Sequence, residues 1–548
     1  MRRSVKRRIA GLGVCLLLFI SPLLAATSDL VQTRYGAVQG LRSSAGVRMF
    51  RGVPYAAPPI GPLRWKAPQA PASWTGVRRA DTFGPRCMQD PVFPDMVFRS
   101  KRTSEDCLYL NIWVPAVATA ARHPVFVYFH GGGFVAGDGS EPRYDGESMA
   151  RRGIVVVTLN YRLGVFGFLA HPELSQEASY NGSGNYGLLD QVAGLRWVHE
   201  NISAFGGDPH RVTIGGESAG SVSVSALMAS PLSRGLISGA VGESGSILGT
   251  LPARPRIAAE ADGRQFMAQA GAGSLAGLRA LRADNLLAIA AKFGAFQFDP
   301  SSVRFTPAVD GYFLPKPPAD IFAAGEQAHV PLLAGSNSEE MSADDVLRGV
   351  APTPENYRRA VENLYGARAA AILEAYPAAA AGDDVLEAAQ ALASDRFTGY
   401  STWKWINFAT STAGKPTFYY YFSRVRPTVE PQHGAINTAG AVGSALPAPD
   451  GRSRGALHAS EIEYLLGNLE RNPTYAWTSE DRAVSQTAQS YIAHFIESGD
   501  PNAPGLPSWP AYASGKRLIL DVQTRAELDR AATRGRLFDE LLSSHDGP

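Results

Sequence analysis

A serine stands between two glycines in the segment GESAG at 216–220. An apolar alternating run at 212–214 precedes it and SVSVSALMA follows it, a pattern that predicts a strand, a sharp turn and a helix. Small flanking residues allow such a turn to close, so the hydroxyl of Ser218 would project at the N-terminus of the helix, where unpaired N–H groups can receive an oxyanion. The residues indicate nucleophilic catalysis, although the motif alone also fits a glycine-rich turn with an N-capping serine.

A second glycine-rich segment, HGGGF at 130–134, directly follows the apolar run VFVYF at 125–129. Three consecutive glycines let the backbone approach a substrate closely and point its N–H groups inward. Loops of this kind supply oxyanion donors in lipases and esterases. The alternative interpretation is a flexible turn without a catalytic role.

A serine hydroxyl needs a base to accept its proton, and an imidazole base needs a carboxylate to fix its tautomer. In folds with a serine at such a turn, the acid and then the histidine follow along the chain. The downstream histidines are His433, His458, His494 and His545. His545 lies in a polar tail and His494 in a helical pattern, so His433 and His458 remain as candidates.

The acid is expected in the loop that follows the apolar run VPLLAG at 330–335. Glu339 and Glu340 are closest to the end of that run, whereas Asp344 and Asp345 are further away. The pattern of residues alone does not choose between the two glutamates.

These residues are separated by apolar runs that alternate with helical patterns from residue 125 onward. The runs are VFVYF (125–129), IVVVTL (154–159), VTI (212–214), LISGAV (236–241), VPLLAG (330–335), FYYYF (418–422) and LILDV (518–522). Apolar residues at helical spacing predict a helix over 188–202, and alanine-rich tracts predict helices within 367–381 and 387–393. Strands in alternation with helices predict an α/β fold with a mostly parallel sheet. No long polar linker occurs, so residues 27–548 are expected to form one domain.

The N-terminus reads MRRSVKRR and then IAGLGVCLLLFISPLLAA, which predicts a signal peptide over 1–26 and a secreted or periplasmic protein. An uncleaved membrane anchor is the alternative, but the apolar stretch barely reaches spanning length. Removal of five basic residues with this leader changes the formal net charge from +2 to −3. The mature chain is therefore not basic, and nucleic acid is not expected as a partner. Only Cys87 and Cys107 would remain after cleavage, an even number that predicts one disulfide.

The chain resembles the type B carboxylesterases, the branch of the α/β-hydrolases that includes cholinesterases. The resemblance extends over nearly the whole mature chain. It is carried by FRGVPYAAPPIGPLRW (50–65), SEDCLYLNIW (104–113), HGGGF, NYRLGVFGF (160–168), GNYGLLDQ (184–191), AFGGDPHRVTIGGESAG (204–220) and LHASEIEYLLG (457–467).

Residue by residue, the resemblance implies Ser218 as nucleophile, His458 as general base and Glu340 as the carboxylate that orients it. Met341 departs from the family pattern, which usually has glycine after the acid. The oxyanion hole would consist of the backbone N–H groups of Gly132, Gly133 and Ala219. Glu217 and Ser244 would lie next to the catalytic residues.

Other matched residues imply structural roles: a disulfide between Cys87 and Cys107, and ion pairs of Arg64 with Glu105 and of Arg162 with Asp190. The implied activity is hydrolysis of small-molecule esters through an acyl-enzyme, without a metal or organic cofactor and without a stable membrane anchor after signal cleavage. A lipase or carbamate hydrolase of the same family is an alternative, and so is a cholinesterase-like binding protein without catalysis. Cholinesterases carry a tryptophan between these cysteines that stacks on quaternary ammonium. This chain has none there, and Leu251 stands where cholinesterases narrow the acyl pocket.

Overall fold

A computed structural model describes residues 29–117, 119, 121–249, 251–293, 305–429 and 453–543 of the protein. Within these ranges the largest element is a sheet of eleven strands. In chain order they are β1 Leu41–Arg42, β2 Arg48–Pro54, β3 Tyr109–Val114, β4 His123–Phe129, β5 Val155–Leu159, β6 Gly207–Glu217, β7 Gly239–Glu243, β8 Leu332–Asn337, β9 Thr417–Phe422, β10 Lys516–Leu520 and β11 Arg525–Leu528. The predicted signal peptide over 1–26 lies outside the described residues.

The spatial order of the strands is β11-β10-β9-β8-β7-β6-β4-β5-β3-β2-β1. The seven strands from β10 to β5 in this order pair in parallel, whereas the pairs toward both edges are antiparallel. Parallel strands need crossover connections, and helices of the chain provide them on both faces. The mostly parallel α/β architecture predicted from the sequence is therefore confirmed.

The described α-helices surround this sheet. They are α1 Glu147–Ala150, α2 Gly164–Phe168, α3 Pro172–Glu177, α4 Tyr186–Asn201, α5 Ala219–Ala229, α6 Arg256–Gln269, α7 Leu275–Ala280, α8 Ala283–Phe293, α9 Pro318–Ala323, α10 Asp344–Leu347, α11 Pro354–Tyr365, α12 Ala369–Ala375, α13 Asp383–Ser394, α14 Tyr400–Thr412, α15 Ile462–Leu466, α16 Ser479–Ser498 and α17 Ala532–Ser543. A π-helical turn, Asp395–Gly399, joins α13 to α14. None of the helices in the described ranges is long and apolar enough to cross a membrane.

Both faces of the sheet are buried. Successive side chains of each central strand point to opposite faces, and each face packs into its own buried cluster. In β4, Val125, Val127 and Phe129 belong to one buried cluster, whereas Phe126 and Tyr128 belong to a second on the other face. All seven residues of this strand are buried. This explains why the strand reads as a continuous apolar run in the sequence.

The segment between β2 and β3 is fixed by a disulfide and by ion pairs. Cys87 and Cys107 are bonded to each other, as the sequence predicted. Arg64 Nε lies 2.6 Å from Glu105 Oε1, and the buried guanidinium of Arg64 also donates to the backbone carbonyls of Arg279 and Leu281 near α7. A second buried pair joins Arg162 to Asp190 at 2.7 Å, so both expected ion pairs are present.

The carboxyl ends of four neighbouring strands are aligned at one edge of the sheet. Phe129 of β4 pairs with Gly216 of β6, Glu217 with Glu243 of β7, and Glu243 with Gly335 of β8. Ligand sites of open parallel sheets form beyond this edge. The glycine loop, the serine turn and the acid loop all leave the sheet here.

Candidate active site

Ser218 occupies a strained turn between β6 and α5. Its φ of 54° and ψ of −120° lie outside the regions that a serine normally adopts. A Cβ atom at Gly216 would lie 2.6 Å from the carbonyl oxygen of Phe129, and one at Gly220 would overlap the same oxygen. Both flanking glycines are therefore required by the close approach of β4. The turn is held by the N–H of Ser218, which donates to the carbonyl of Glu243 at 2.8 Å.

The glycine loop packs directly against this turn. A Cβ atom at Gly131 would lie 3.2 Å from Cβ of Ser218. Gly132 has φ of 102° and Gly133 has φ of 61°, conformations that glycine adopts without strain. Their N–H groups donate no hydrogen bond within the described residues. Ala219 is the first residue of α5, where a helix leaves its N–H without an intrahelical acceptor.

His130, which begins the glycine loop, is buried and supports the loop from within. Its Nδ1 lies 2.9 Å from the carbonyl oxygen of Gly131, and its ring stacks on Tyr161 with centroids 4.4 Å apart. The hydroxyl of Tyr161 donates to the carbonyl of His130 at 2.7 Å. Burial lowers the pKa of His130 to about 4, so its imidazole is neutral at physiological pH.

His458 lies against Glu340 on a loop that precedes α15. Its Nδ1 is 2.6 Å from Oε2 of Glu340, and both side chains are buried. The edge of its ring also contacts Phe397 from the π-helical turn, with centroids 4.9 Å apart. Fixed on two sides, the imidazole presents Nε2 toward the serine turn.

Glu340 is oriented by the end of strand β8. The N–H of Asn337 donates to Oε1 of Glu340 at 2.6 Å, which leaves Oε2 for the imidazole. The side-chain amide of Asn337 donates to the carbonyl of Leu457 at 2.8 Å and thereby joins the acid loop to the histidine loop. Glu339 instead accepts from the N–H of Gly455 at 2.8 Å. Of the two glutamates that the sequence left open, Glu340 is the one whose carboxylate contacts His458.

Glu217 contacts the other side of the imidazole. Its Oε1 lies 3.1 Å from Nε2 of His458 without the alignment of a hydrogen bond. Burial raises the pKa of Glu217, and the nearby charge of His458 opposes this rise. Burial also disfavours the charged imidazole, but Glu217 and Glu340 outweigh it and raise the pKa of His458 to about 9.

The hydroxyl of Ser218 donates to no acceptor in the part of the chain that the structure describes. The side chain of Glu217, the residue directly before the serine, nevertheless reaches Nε2 of His458. Nucleophile and base often lie further apart in a free enzyme than in its complex with substrate. The arrangement can support proton transfer from a serine to an imidazole beside backbone donors.

Comparison with known proteins places this arrangement in a family. The model of the carboxylesterase family matches residues 27–537. The chain is 34% identical to the fumonisin B1 esterase of Sphingopyxis macrogoltabida, over 90% of this chain and 86% of the relative. It is 35% identical to the para-nitrobenzyl esterase of Bacillus subtilis strain 168, over 93% and 99%. A solved structure of a PNB esterase superposes with a TM-score of 0.76 at 33% identity, again over 93% and 99%.

The chain belongs to the carboxylesterase family. Its neighbours among solved structures are carboxylesterases with the α/β-hydrolase fold, which is the fold of this chain as well. It is accordingly a carboxylic ester hydrolase. The resemblance noted in the sequence is confirmed at the level of family, fold and reaction type.

This carboxylesterase also buries the carboxyl groups of Glu243 and Glu461, which interact with each other electrostatically. Ser244, which has φ of 58°, donates from its hydroxyl to Oε1 of Glu461 at 2.9 Å. Burial, together with the nearby charge of Glu340, raises the pKa of Glu461 to about 7. Burial likewise raises the pKa of Glu243 well above its usual value. Ser244 thus donates to a carboxyl group that itself interacts electrostatically with His458.

The remaining histidine and acid candidates lie elsewhere in this carboxylesterase. His433 and His545 lie outside the described residues. His494 is part of α16, in agreement with the helical pattern, and Asp344 and Asp345 begin α10. Across the described ranges, no group of three or more His, Cys, Asp or Glu side chains is arranged to hold a metal ion.

Sequence reasoning missed three contributors to this site: Asn337, Phe397 and Glu461. Asn337 carried a usable signal, since it is a polar residue two positions after the apolar run at 330–335 and three positions before Glu340. Phe397 carried none, because its contact depends on the π-helical turn between two helices. Glu461 is part of the quoted segment LHASEIEYLLG, but only the structure reveals its contact with Ser244.

Proposed function

We propose that this carboxylesterase cleaves small-molecule carboxylic esters with Ser218 as nucleophile, His458 as general base and Glu340 as the orienting carboxylate. The proposal rests above all on the 2.6 Å contact between Nδ1 of His458 and Glu340, which directs Nε2 toward the serine turn. It is supported by the strained backbone of Ser218, because strain of this kind is retained at functional sites.

In the first step, Oγ of Ser218 bonds to the ester carbonyl carbon while its proton moves to Nε2 of His458. The carbonyl oxygen gains the negative charge and would accept hydrogen bonds from the N–H groups of Gly132, Gly133 and Ala219. Loss of one such donor typically reduces kcat by roughly 10²–10³-fold. Breakdown of the tetrahedral intermediate breaks the bond to the alcohol oxygen, which takes the proton from His458.

In the second step, water attacks the acyl-enzyme and His458 accepts its proton. The bond between Oγ of Ser218 and the acyl carbon then breaks as His458 returns the proton to Oγ, so the carboxylic acid leaves and the hydroxyl of Ser218 is restored. Glu340 stabilises the imidazolium that forms in each step and keeps the proton on Nδ1. The residues of the chain carry out this cycle without a cofactor.

The substitution Ser218→Ala tests the proposal with a short-chain p-nitrophenyl ester. If the three residues act together, turnover falls by roughly 10⁶-fold, as in other serine hydrolases. Ser221→Ala is a matched control, because Ser221 is buried in the same helix and donates to the carbonyl of Gly245. Equal hydrolysis by the wild type and Ser218→Ala would refute the assignment.

We also propose that the protein is exported and that residues 27–548 form one domain. The leader at 1–26 supports export, and so does the disulfide, because disulfides persist mainly in oxidising compartments. The family match over 27–537 supports one domain. The mass of the protein recovered from the exported fraction tests cleavage near residue 26, and a single cooperative unfolding transition tests the domain assignment.

The acyl and alcohol groups of the natural substrate are not fixed by the relatives. Their names refer to fumonisin B1 in one case and to para-nitrobenzyl esters in another. We therefore assign the substrate class as small-molecule carboxylic esters. A panel of esters that varies acyl and alcohol size separately would define the preferred substrate.

A further inference from the structure

The chain that carries the proposed oxyanion donors folds back on itself, so that Gly137 lies next to Gly131. Gly137, with φ of 129°, ends the loop, and a Cβ atom there would lie 2.6 Å from the carbonyl oxygen of Gly131. Between these ends, the N–H groups of Val135 and Ala136 donate to the carbonyl of Gly132 at 3.0 and 3.1 Å. The position of Gly137 therefore determines where the backbone of Gly131 and Gly132 lies.

Gln89 holds Gly137 through both of its backbone groups. The N–H of Gly137 donates to Oε1 of Gln89 at 2.9 Å, and Nε2 of Gln89 donates to the carbonyl of Gly137 at 2.8 Å. The second hydrogen of Nε2 goes to the carbonyl of Cys87 at 3.0 Å. Gln89 is only 6% exposed, so this amide has no water to replace the bonds if they are lost.

The same contact connects the glycine loop to the disulfide. Gln89 is two residues from Cys87, whose bond to Cys107 closes the segment between them. Met96 of that segment also approaches the glycine loop, since a Cβ atom at Gly132 would lie 3.1 Å from its methyl carbon. The segment between Cys87 and Cys107 thus packs against the glycine loop.

We propose that Gln89 is a positioning residue for the oxyanion hole: its side-chain amide fixes Gly137 and thereby aims the N–H groups of Gly132 and Gly133 at the developing oxyanion. This inference rests on the proposed function of those two glycines. Only an amide at this position satisfies the pattern, because it must accept from one backbone group and donate to two others. A carboxylate would meet two carbonyl oxygens, and an apolar side chain would leave Gly137 unpaired.

A positioning residue differs from a merely structural one because its loss weakens binding of the transition state. Oxyanion donors act on the tetrahedral intermediate more than on bound substrate, so misplaced donors reduce kcat and leave KM nearly unchanged. A trifluoromethyl ketone, which adds to the serine to form a tetrahedral oxyanion, should lose affinity by the same factor. A change in overall stability alone moves neither quantity.

The experiment compares the wild type with Gln89→Met, which keeps the size of the side chain but removes its hydrogen bonds. We expect kcat for a p-nitrophenyl ester to fall about 10²-fold, the loss typical of a misplaced catalytic group. The affinity for an aryl trifluoromethyl ketone should fall in parallel, with KM within about threefold, because only the transition state is affected. Gln89→Asn, which keeps an amide but is one methylene too short to reach Gly137 in the same way, is the second variant if the first does not fold, and the same losses are expected in it.

Gln327→Met is the matched control. Gln327 is also buried and donates from its amide to the hydroxyl of Thr412 at 2.7 Å. It precedes β8 and therefore lies toward the amino ends of the parallel strands, whereas the serine turn lies at their carboxyl ends. Its loss should lower the melting temperature without affecting kcat or inhibitor affinity. A folded Gln89 variant with wild-type kcat and inhibitor affinity would overturn the inference. Full activity of Ser218→Ala would instead overturn the proposed function, so the two failures are distinguishable.

Discussion

The imidazole of His458 and the carboxylate of Glu340 lie 2.6 Å apart, although 118 positions separate them in the chain. The contact is possible because the loop after β8 and the loop before α15 are joined side by side. The N–H of Glu339 donates to the carbonyl of Ala456 at 2.8 Å, and the amide of Asn337 holds Leu457. The backbone therefore brings acid and base together before any substrate is present.

Loss of the carboxylate at Glu340 should impair catalysis far more than loss of the one beside it. Glu340→Gln replaces the acceptor at Nδ1 of His458 and allows the wrong tautomer, so kcat should fall by up to about 10⁴-fold. Glu339→Gln is the matched control, because Glu339 contacts Gly455 and not the imidazole. Steady-state hydrolysis of a p-nitrophenyl ester measures both, and equal losses in the two variants would contradict the assignment of Glu340.

The pH dependence of activity should respond to Glu217. His458 acts as a base only when neutral, and its pKa is raised to about 9, so kcat/KM should increase with pH up to that region. Glu217→Gln removes a carboxylate that favours the charged imidazole. The pKa of His458 then falls, and the acid limb of the profile shifts to lower pH.

Profiles of kcat/KM against pH for the wild type and Glu217→Gln test this expectation. Glu147→Gln serves as a control, since that carboxylate pairs with Arg471 and not with the imidazole. An acid limb that stays in place in Glu217→Gln would show that Glu217 does not interact electrostatically with His458.

Substitution of Gly220 by alanine should damage the serine turn. The added Cβ would overlap the carbonyl oxygen of Phe129, and overpacking of this kind typically costs about 1–3 kcal/mol of stability. Displacement of the turn should also abolish most activity. Gly273→Ala is the control, because a Cβ at Gly273 meets no atom within 4 Å. Urea denaturation and an esterase assay measure the two effects. Equal stability and equal activity of the two variants would contradict this account.

Choline esters should not be preferred substrates. The segment between Cys87 and Cys107 contains no tryptophan, and the guanidinium of Arg86 already lies 5.4 Å from the ring of Phe98. Without a tryptophan in this segment, the preference for acetylcholine over its uncharged isostere 3,3-dimethylbutyl acetate should stay below about tenfold in kcat/KM, less than a strong cation–π contact supplies. A preference of more than about a hundredfold would point to a cation site elsewhere in the pocket.

Much of the fold could be predicted because the central strands are buried on both faces. The run at 125–129 lies within β4, and the run at 418–422 lies within β9. Errors concentrate at strand ends. The apolar run at 236–241 predicts a strand that begins at residue 236, but β7 begins at Gly239 because a turn at Ser233 precedes it. The strand also extends beyond the run to Glu243, because its last residues are not apolar. The antiparallel strands β2 and β3 were not identified.

The site was predictable to the extent that its residues are local in sequence. The serine turn and the glycine loop each carry a complete motif, so their positions at the end of β6 and β4 agree with expectation. The choice of Glu340 over Glu339 required family resemblance, since adjacent glutamates look alike until the backbone turn is known. Gln89 could not be found from the sequence, because its contact with Gly137 spans 48 positions.

Covalent labelling tests the central claim, that Ser218 is the nucleophile activated by His458, most directly. The wild type and His458→Ala would each be treated with a fluorophosphonate, digested and analysed by mass spectrometry. We predict one stoichiometric phosphonyl adduct, on Ser218 in the wild type, and little or no adduct in His458→Ala. An adduct on another residue, or equally rapid labelling of Ser218 without His458, would contradict the account.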